Sequence, residues 1–187
     1  MAAKSQIAGG NSFELLSIQR LYVIRQDAQL LTIRNVNVTP LSPADLRFIQ
    51  LSFDQARRSL EQGGLPIGSA LARGEQLIAS GHNQRVQHGD PIAHGEMDCL
   101  RKAGRQLTYR DTTLYTSLSP CMMCSGTIVQ FKIPRLIIND TVNFGGNEAF
   151  LRSQGVEVID AAHEPSIRQM RDFIAANPAL WNEDIME

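Results

Sequence analysis

From Leu41 onward the apolar and polar positions settle into a readable rhythm, and the first element they predict is a helix. Ser42 can cap it, Pro43 suits the first helical position, and Asp45 stands where a capping box puts its acid. Leu46, Ile49, Phe53, Ala56 and Leu60 then recur at helical spacing until Gly63-Gly64 stops the pattern. Leu65 to Ala72 and Gln76 to Ser80 read as strands joined by a tight turn at Arg73-Gly74-Glu75, and Gly81 to Pro91 reads as a loop. His94 to Lys102 predicts a second helix ended by Gly104. Asp111 to Leu118, alternating and β-branched, predicts a strand that delivers Ser119-Pro120-Cys121 into a third helix reaching Phe131. Strand Arg135–Ile138, helix Glu148–Gln154, strand Val156–Asp160 and the amphipathic helix Pro165–Ala176 follow, and Asn177-Pro178 breaks the pattern before a final turn from Ala179. This order calls for an α/β fold in three layers, a mixed central sheet of about five strands between helices.

The first forty residues are less patterned. Gly9-Gly10-Asn11 reads as a break, and the β-rich runs Arg20–Arg25 and Leu30–Val38 read as a hairpin within an extension on the domain surface. The division expected is therefore an extension, 1–40, and one domain, 41–187. With 187 residues and 43% hydrophobic content there is enough chain for one sizeable core. A net charge of -1, from 18 basic and 19 acidic residues, gives no global footprint for a polyanion, so no nucleic-acid partner is expected. Met1 to Asn11 lacks the apolar core of a signal peptide, and no apolar run approaches the ~18 residues of a membrane span. Three cysteines suit a reducing compartment better than a disulfide scaffold, and the expected location is the cytoplasm.

Chemistry concentrates in two short stretches, His94-Gly95-Glu96 and Pro120-Cys121-Met122-Met123-Cys124. Catalytic zinc takes three protein ligands and keeps a fourth position open, a count that His94, Cys121 and Cys124 meet. Cys121 and Cys124 are three apart and are expected on one helix face, at the positive end of the dipole, where a thiolate is favoured. Glu96 would stay off the metal and shuttle protons while zinc lowers the pKa of water to about 7. Each motif alone is weak: C-x-x-C also fits a redox pair or half of a structural zinc site. The third cysteine, Cys99, lies five residues past His94, on the wrong side of a helix for a fourth ligand, and reads as a buried small side chain. His82 and His88 read as ordinary histidines. Together the motifs form the zinc deaminase signature, H-x-E with P-C-x-x-C.

On these motifs and the element order, the sequence resembles the cytidine deaminase-like superfamily, and most closely the free-base cytosine deaminases of fungi. The likeness extends from Leu41 through Gly64-Leu65-Pro66-Ile67-Gly68, Gly81-His82-Asn83, Asp111-Thr112-Thr113-Leu114-Tyr115-Thr116, Leu118-Ser119-Pro120-Cys121 and Val142-Asn143-Phe144 to the tail Trp181-Asn182-Glu183-Asp184-Ile185. The resemblance implies that Asn83 and the backbone of Gly95 read the O2/N1 edge of a pyrimidine. By the same likeness Asp184, helped by the carbonyl of Ser119, accepts from the exocyclic amine, and Phe144 and Trp181 wall the ring. It also implies one Zn2+ per chain, a small-molecule base as substrate and a homodimer. Met122, in place of an acidic residue, and Asp98, in place of a small one, depart from the fungal pattern, as does the extension. Cytosine to uracil plus ammonia is the expected reaction. The other readings are deamination of isocytosine or guanine, of a nucleotide or a tRNA adenosine, or an inactive zinc-stabilised module.

Overall fold

The computed structural model describes residues 40–186, so the hairpin expected between Arg20 and Val38 lies outside the described residues. The elements are α1 (Pro43–Glu61), β1 (Gly68–Arg73), β2 (Gln76–His82), α2 (Arg85–His88), α3 (Gly95–Ala103), β3 (Thr113–Thr116), α4 (Met122–Phe131), β4 (Arg135–Ile138), α5 (Glu148–Ser153), β5 (Glu157–Asp160), α6 (Glu164–Ala176) and α7 (Pro178–Ile185). The strands form one sheet in the order β2-β1-β3-β4-β5. β1 pairs antiparallel with β2 and β3, while β3, β4 and β5 run parallel. This is the mixed five-stranded, three-layer architecture expected from the pattern.

Alternation along the strands separates the two faces. Leu71, Leu114, Leu136 and Ile138 point to one side, where Cys99 and Leu100 of α3, Ile128 of α4 and Leu151 of α5 cover them. Ala70, Ala72, Tyr115 and Ile137 point to the other, under Phe48 and Ile49 of α1. A third cluster, Leu65, Ile67, Leu118, Met170, Phe173 and Trp181, seats α6 and α7 at one end. Because β2, β3, β4 and β5 all run the same way, their carboxyl ends gather at one edge, where open α/β sheets form their crevice.

The start of α1 bears out the capping box: the Ser42 hydroxyl accepts from the Asp45 N–H at 3.1 Å, and Asp45 accepts from the Ser42 N–H at 2.8 Å. Asp45 also takes two bonds from Arg135, at 2.6 and 3.2 Å, and one from the Tyr115 hydroxyl at 2.8 Å. Burial by itself would raise this acid's pKa, but those donors outweigh it and hold the carboxyl well below the usual range. The cap thus ties α1 to β3 and β4.

Three details differ from expectation. The buried face of α1 is Phe48, Ile49, Ser52, Ala56 and Ser59, whereas Leu46 and Leu60 of the helical stripe are exposed. Small residues win because the helix backbone lies on β1: a Cβ at Gly68 would come within 2.3 Å of the Ala56 nitrogen and the Ser52 carbonyl. The first strand begins at Gly68, not Leu65, because Pro66 has no N–H to pair and the Ile67 N–H turns back to the Leu65 carbonyl at 2.7 Å. Within the expected loop 81–91, β2 reaches His82 and the single turn α2 intervenes. His82 is buried, its ring nitrogens 3.3 and 2.9 Å from the side-chain oxygens of Gln55 and Gln62, while His88 is exposed.

Candidate active site

Two helix N-termini meet at the carboxyl edge of the sheet. His94 is the N-cap of α3 and Cys121 the N-cap of α4, both in extended backbone, so each side chain stands at the mouth of its helix. Cys121 is therefore not on a helix face with Cys124, as its spacing suggested; it precedes the first turn and Cys124 lies within it. The ligand atoms of His94, Cys121 and Cys124 lie within 4.8 Å of one another, and Cys121 Sγ is 3.6 Å from His94 Nδ1. Tetrahedral zinc with its usual bond lengths places such atoms about 3.5 Å apart, so the donor set fits the ion. Among the described residues it is the one such cluster of three or more.

Electrostatics prepares this set for a cation. A hydrogen bond from Cys124, together with His94, pulls the Cys121 thiol down to about 4, while the same bond and burial push Cys124 up. One thiolate stands ready and the second proton leaves when a cation arrives. His94 is pulled down by burial, but its bond to Cys121 and the charges of Glu96, Cys121 and Asp184 outweigh that and raise it.

Glu96, in the first turn of α3, is buried beside these groups without joining them. Its Oε1 accepts from the Thr116 hydroxyl at 3.1 Å and its Oε2 from the Cys124 thiol at 3.4 Å. Burial pushes its carboxyl up.

The remaining expected residues make the following contacts. Asn83 follows β2 and is fully buried; its Oδ1 accepts from the Arg85 N–H at 3.0 Å, and its Nδ2 is buried without a partner among the described residues. Gly95 packs against the Ile67 carbonyl, which a Cβ would approach to 3.1 Å. Ser119 is buried, its N–H bonded to the Asp140 carbonyl at 2.9 Å and its hydroxyl to Glu148. Phe144, in the loop after β4, and Trp181 of α7 meet edge to face with centroids 6.0 Å apart. Asp184 of α7 has a buried side chain paired with Arg85, and its charge acts on His94. Burial pushes Asp184 up against the opposing pull of His94 and Arg85.

Four residues were not visible from the sequence as parts of this assembly. Thr116 holds Glu96, and Glu148 holds the Ser119 hydroxyl while Asn147 donates to the Pro120 carbonyl at 3.2 Å. Arg85 bridges to the tail. Asp98, one of the departures, accepts from the His82 N–H at 3.1 Å and from Lys102 at 2.6 Å, fastening α3 to the end of β2 beside Asn83. Met122, the other departure, is 59% exposed.

A half-buried imidazole and two thiols grouped to hold zinc, with a buried carboxyl beside them, define a zinc-dependent hydrolytic deaminase, and comparison with known proteins agrees. The family described as "Cytidine and deoxycytidylate deaminase zinc-binding region" matches residues 42–140, and the chain belongs to it. A cytosine deaminase from Candida albicans is 43% identical over 146 residues, 76% of this chain and 97% of the relative. A tRNA-specific adenosine deaminase from Buchnera aphidicola is 39% identical over 99 residues, 51% of this chain and 66% of the relative. Among solved structures, one from a study of A-to-I editing by tRNA:A34 deaminases superposes with a TM-score of 0.60 at 27% identity, covering 66% of this chain and 99% of that one. A guanine deaminase from Nitrosomonas europaea shares the fold, with a TM-score of 0.60 at 19% identity over 73% of this chain and 86% of that one. No helix among the described residues is long and apolar enough to cross a membrane.

Proposed function

We propose that the protein deaminates a free pyrimidine base, converting cytosine and water to uracil and ammonia. His94, Cys121 and Cys124 hold the zinc, which when bound supplies the Lewis acidity that makes water a nucleophile at neutral pH. Glu96 takes a proton from the attacking water and passes it to the ring nitrogen beside the attacked carbon, then takes the remaining proton of the new hydroxyl and delivers it to the departing amine as the carbonyl forms. Its raised pKa suits a group that must gain and lose a proton within one turnover. The Thr116 hydroxyl keeps that carboxylate in place.

The observation that carries the substrate reading is the buried, unpartnered Nδ2 of Asn83. A donor left so costs about 1–3 kcal/mol, and the oxygen of a base would complement it. Gly95 N–H reads the same edge, Asp184 and the Ser119 carbonyl receive the exocyclic amine, and Phe144 and Trp181 cover the ring. The 43% identity to a cytosine deaminase supports this choice.

Ammonia release from the zinc-loaded enzyme should be measured with cytosine, isocytosine, 5-methylcytosine, guanine, cytidine and an adenosine-bearing tRNA anticodon stem. Cytosine should be the best of these and cytidine very poor if Trp181 and Asp184 of α7 close the pocket over a small ring. A preference for cytidine, guanine or tRNA replaces the reading, and zinc without any turnover makes the chain an inactive zinc-stabilised module. We further propose a cytoplasmic homodimer, in keeping with its free thiols and with the exposed apolar side chains of Met122 and Phe131 on α4 and of Leu107.

A further inference from the structure

Arg85 touches both ends of the proposed base-reading set. Its backbone N–H, a donor only, bonds Asn83 Oδ1 at 3.0 Å, which turns the amide nitrogen the other way. Its guanidinium bonds Asp184 Oδ1 through Nη1, and Nη2 reaches Glu183 Oε1 at 2.9 Å. The Arg85 and Asp184 side chains are only 10% and 6% exposed, so the pair is shielded from water. No other group among the described residues bonds the Asp184 side chain, whose Oδ2 is left without a protein donor. Asn83 Nδ2 is likewise left without an acceptor. One donor and one acceptor therefore remain, and each belongs to a group whose other atom Arg85 holds.

We infer that Arg85 is a positioning residue that sets the hydrogen-bonding polarity of the pocket, turning a donor (Asn83 Nδ2) and an acceptor (Asp184 Oδ2) toward a ring bearing a carbonyl and an amine. The inference rests on the proposal that Asn83 and Asp184 face the substrate. A free amide can present either end, and a free carboxylate can rotate; with one atom of each fixed, a ring carrying acceptor and donor in the opposite order is refused. Glu183 steadies the guanidinium from outside, since its own side chain is 60% exposed. Sequence spacing offers no hint of the arrangement, because Arg85 and Asp184 are 99 positions apart.

The test is a double-mutant cycle on the full-length, zinc-loaded enzyme, using Arg85→Met, Asp184→Asn and the pair of them, with Arg85→Lys and Glu183→Gln alongside. Arg85→Met should keep its zinc and lose about 10- to 100-fold in kcat/KM for cytosine, the worth of a shielded charge-assisted bond. Arg85→Lys should recover part of this and Glu183→Gln should stay within about threefold of the parent. In the Asp184→Asn background Arg85→Met should cost little more, since its effect passes through that carboxylate. Losses that multiply in the double variant overturn the inference, as does an Arg85→Met enzyme with parental kcat/KM.

Trp181, the one tryptophan of the sequence, reports whether α7 stays seated. Its emission should be unchanged in Arg85→Met, because apolar packing also holds the helix; a red shift would make Arg85 a mere tether and sink the positioning role. If the parent prefers another base, the cycle is read on that base. If no base is turned over, it is read on cytosine Kd, followed by Trp181 quenching. Failure of the substrate assignment thus appears in the parent, and failure of this inference appears in the cycle.

Discussion

The cluster of His94, Cys121 and Cys124 was legible, and Glu96 could be proposed beside it, because metal and proton chemistry dictate residue type and the local chain dictates their spacing. Thr116, Arg85 and Glu148 were not, because each acts on a partner 20, 99 or 29 positions away that only the folded chain brings near. Glu96 is the sharpest case for a functional test. It is 3% exposed, yet its two bonds are a hydroxyl at 3.1 Å and a thiol at 3.4 Å, modest supports for a buried carboxyl whose pKa burial has raised. Glu96→Gln preserves shape and the bond accepted from Thr116 but cannot shuttle protons. Turnover should fall on the order of 10²-fold or more, with zinc content and thermal midpoint near the parent values. Near-parental turnover in this variant would remove Glu96 from the mechanism.

Periodicity located nearly every helix and strand, and Ile49 and Ala56 of the α1 stripe do face the sheet, but Leu46 and Leu60 do not. Large side chains hold a helix away from its neighbour, whereas Ser52, Ala56 and Ser59 let backbone approach backbone. Only the position of β1 reveals that the close approach is wanted. Gly68→Ala tests the contact, since the new methyl would meet the Ala56 nitrogen and the Ser52 carbonyl at 2.3 Å, backbone atoms that cannot swing aside. A loss of about 2–3 kcal/mol in unfolding free energy is expected, read from urea midpoints at unchanged m. A neutral Gly68→Ala would show that α1 can slide on the sheet. The short α2 escaped notice because one turn carries no periodic signal, although it presents Arg85.

At the scale of the whole molecule, the alternation of helices and strands pointed to a mixed sheet, while the order β2-β1-β3-β4-β5 had to come from pairing that no local pattern encodes. The zinc ligands open α3 and α4, two helices that cover the same face of that sheet, so an ion held between them also clamps the fold. Removing zinc with a strong chelator should lower the thermal midpoint by at least several degrees, with restoration on adding zinc back, because an ion that binds the folded chain preferentially stabilises it by mass action. Calorimetric traces that coincide with and without chelator would separate the site from stability. One feature of this architecture bears on the gene rather than the protein. The metal ligands and Glu96 lie between positions 94 and 124, whereas Trp181, Glu183 and Asp184 all sit on α7, which starts afresh at Pro178 after the break at Asn177. A crossover at that one codon boundary would exchange Trp181 and Asp184 while leaving the hydrolytic apparatus, Asn83 and Phe144 untouched, so one half of the proposed base-reading set can vary by recombination independently of the other.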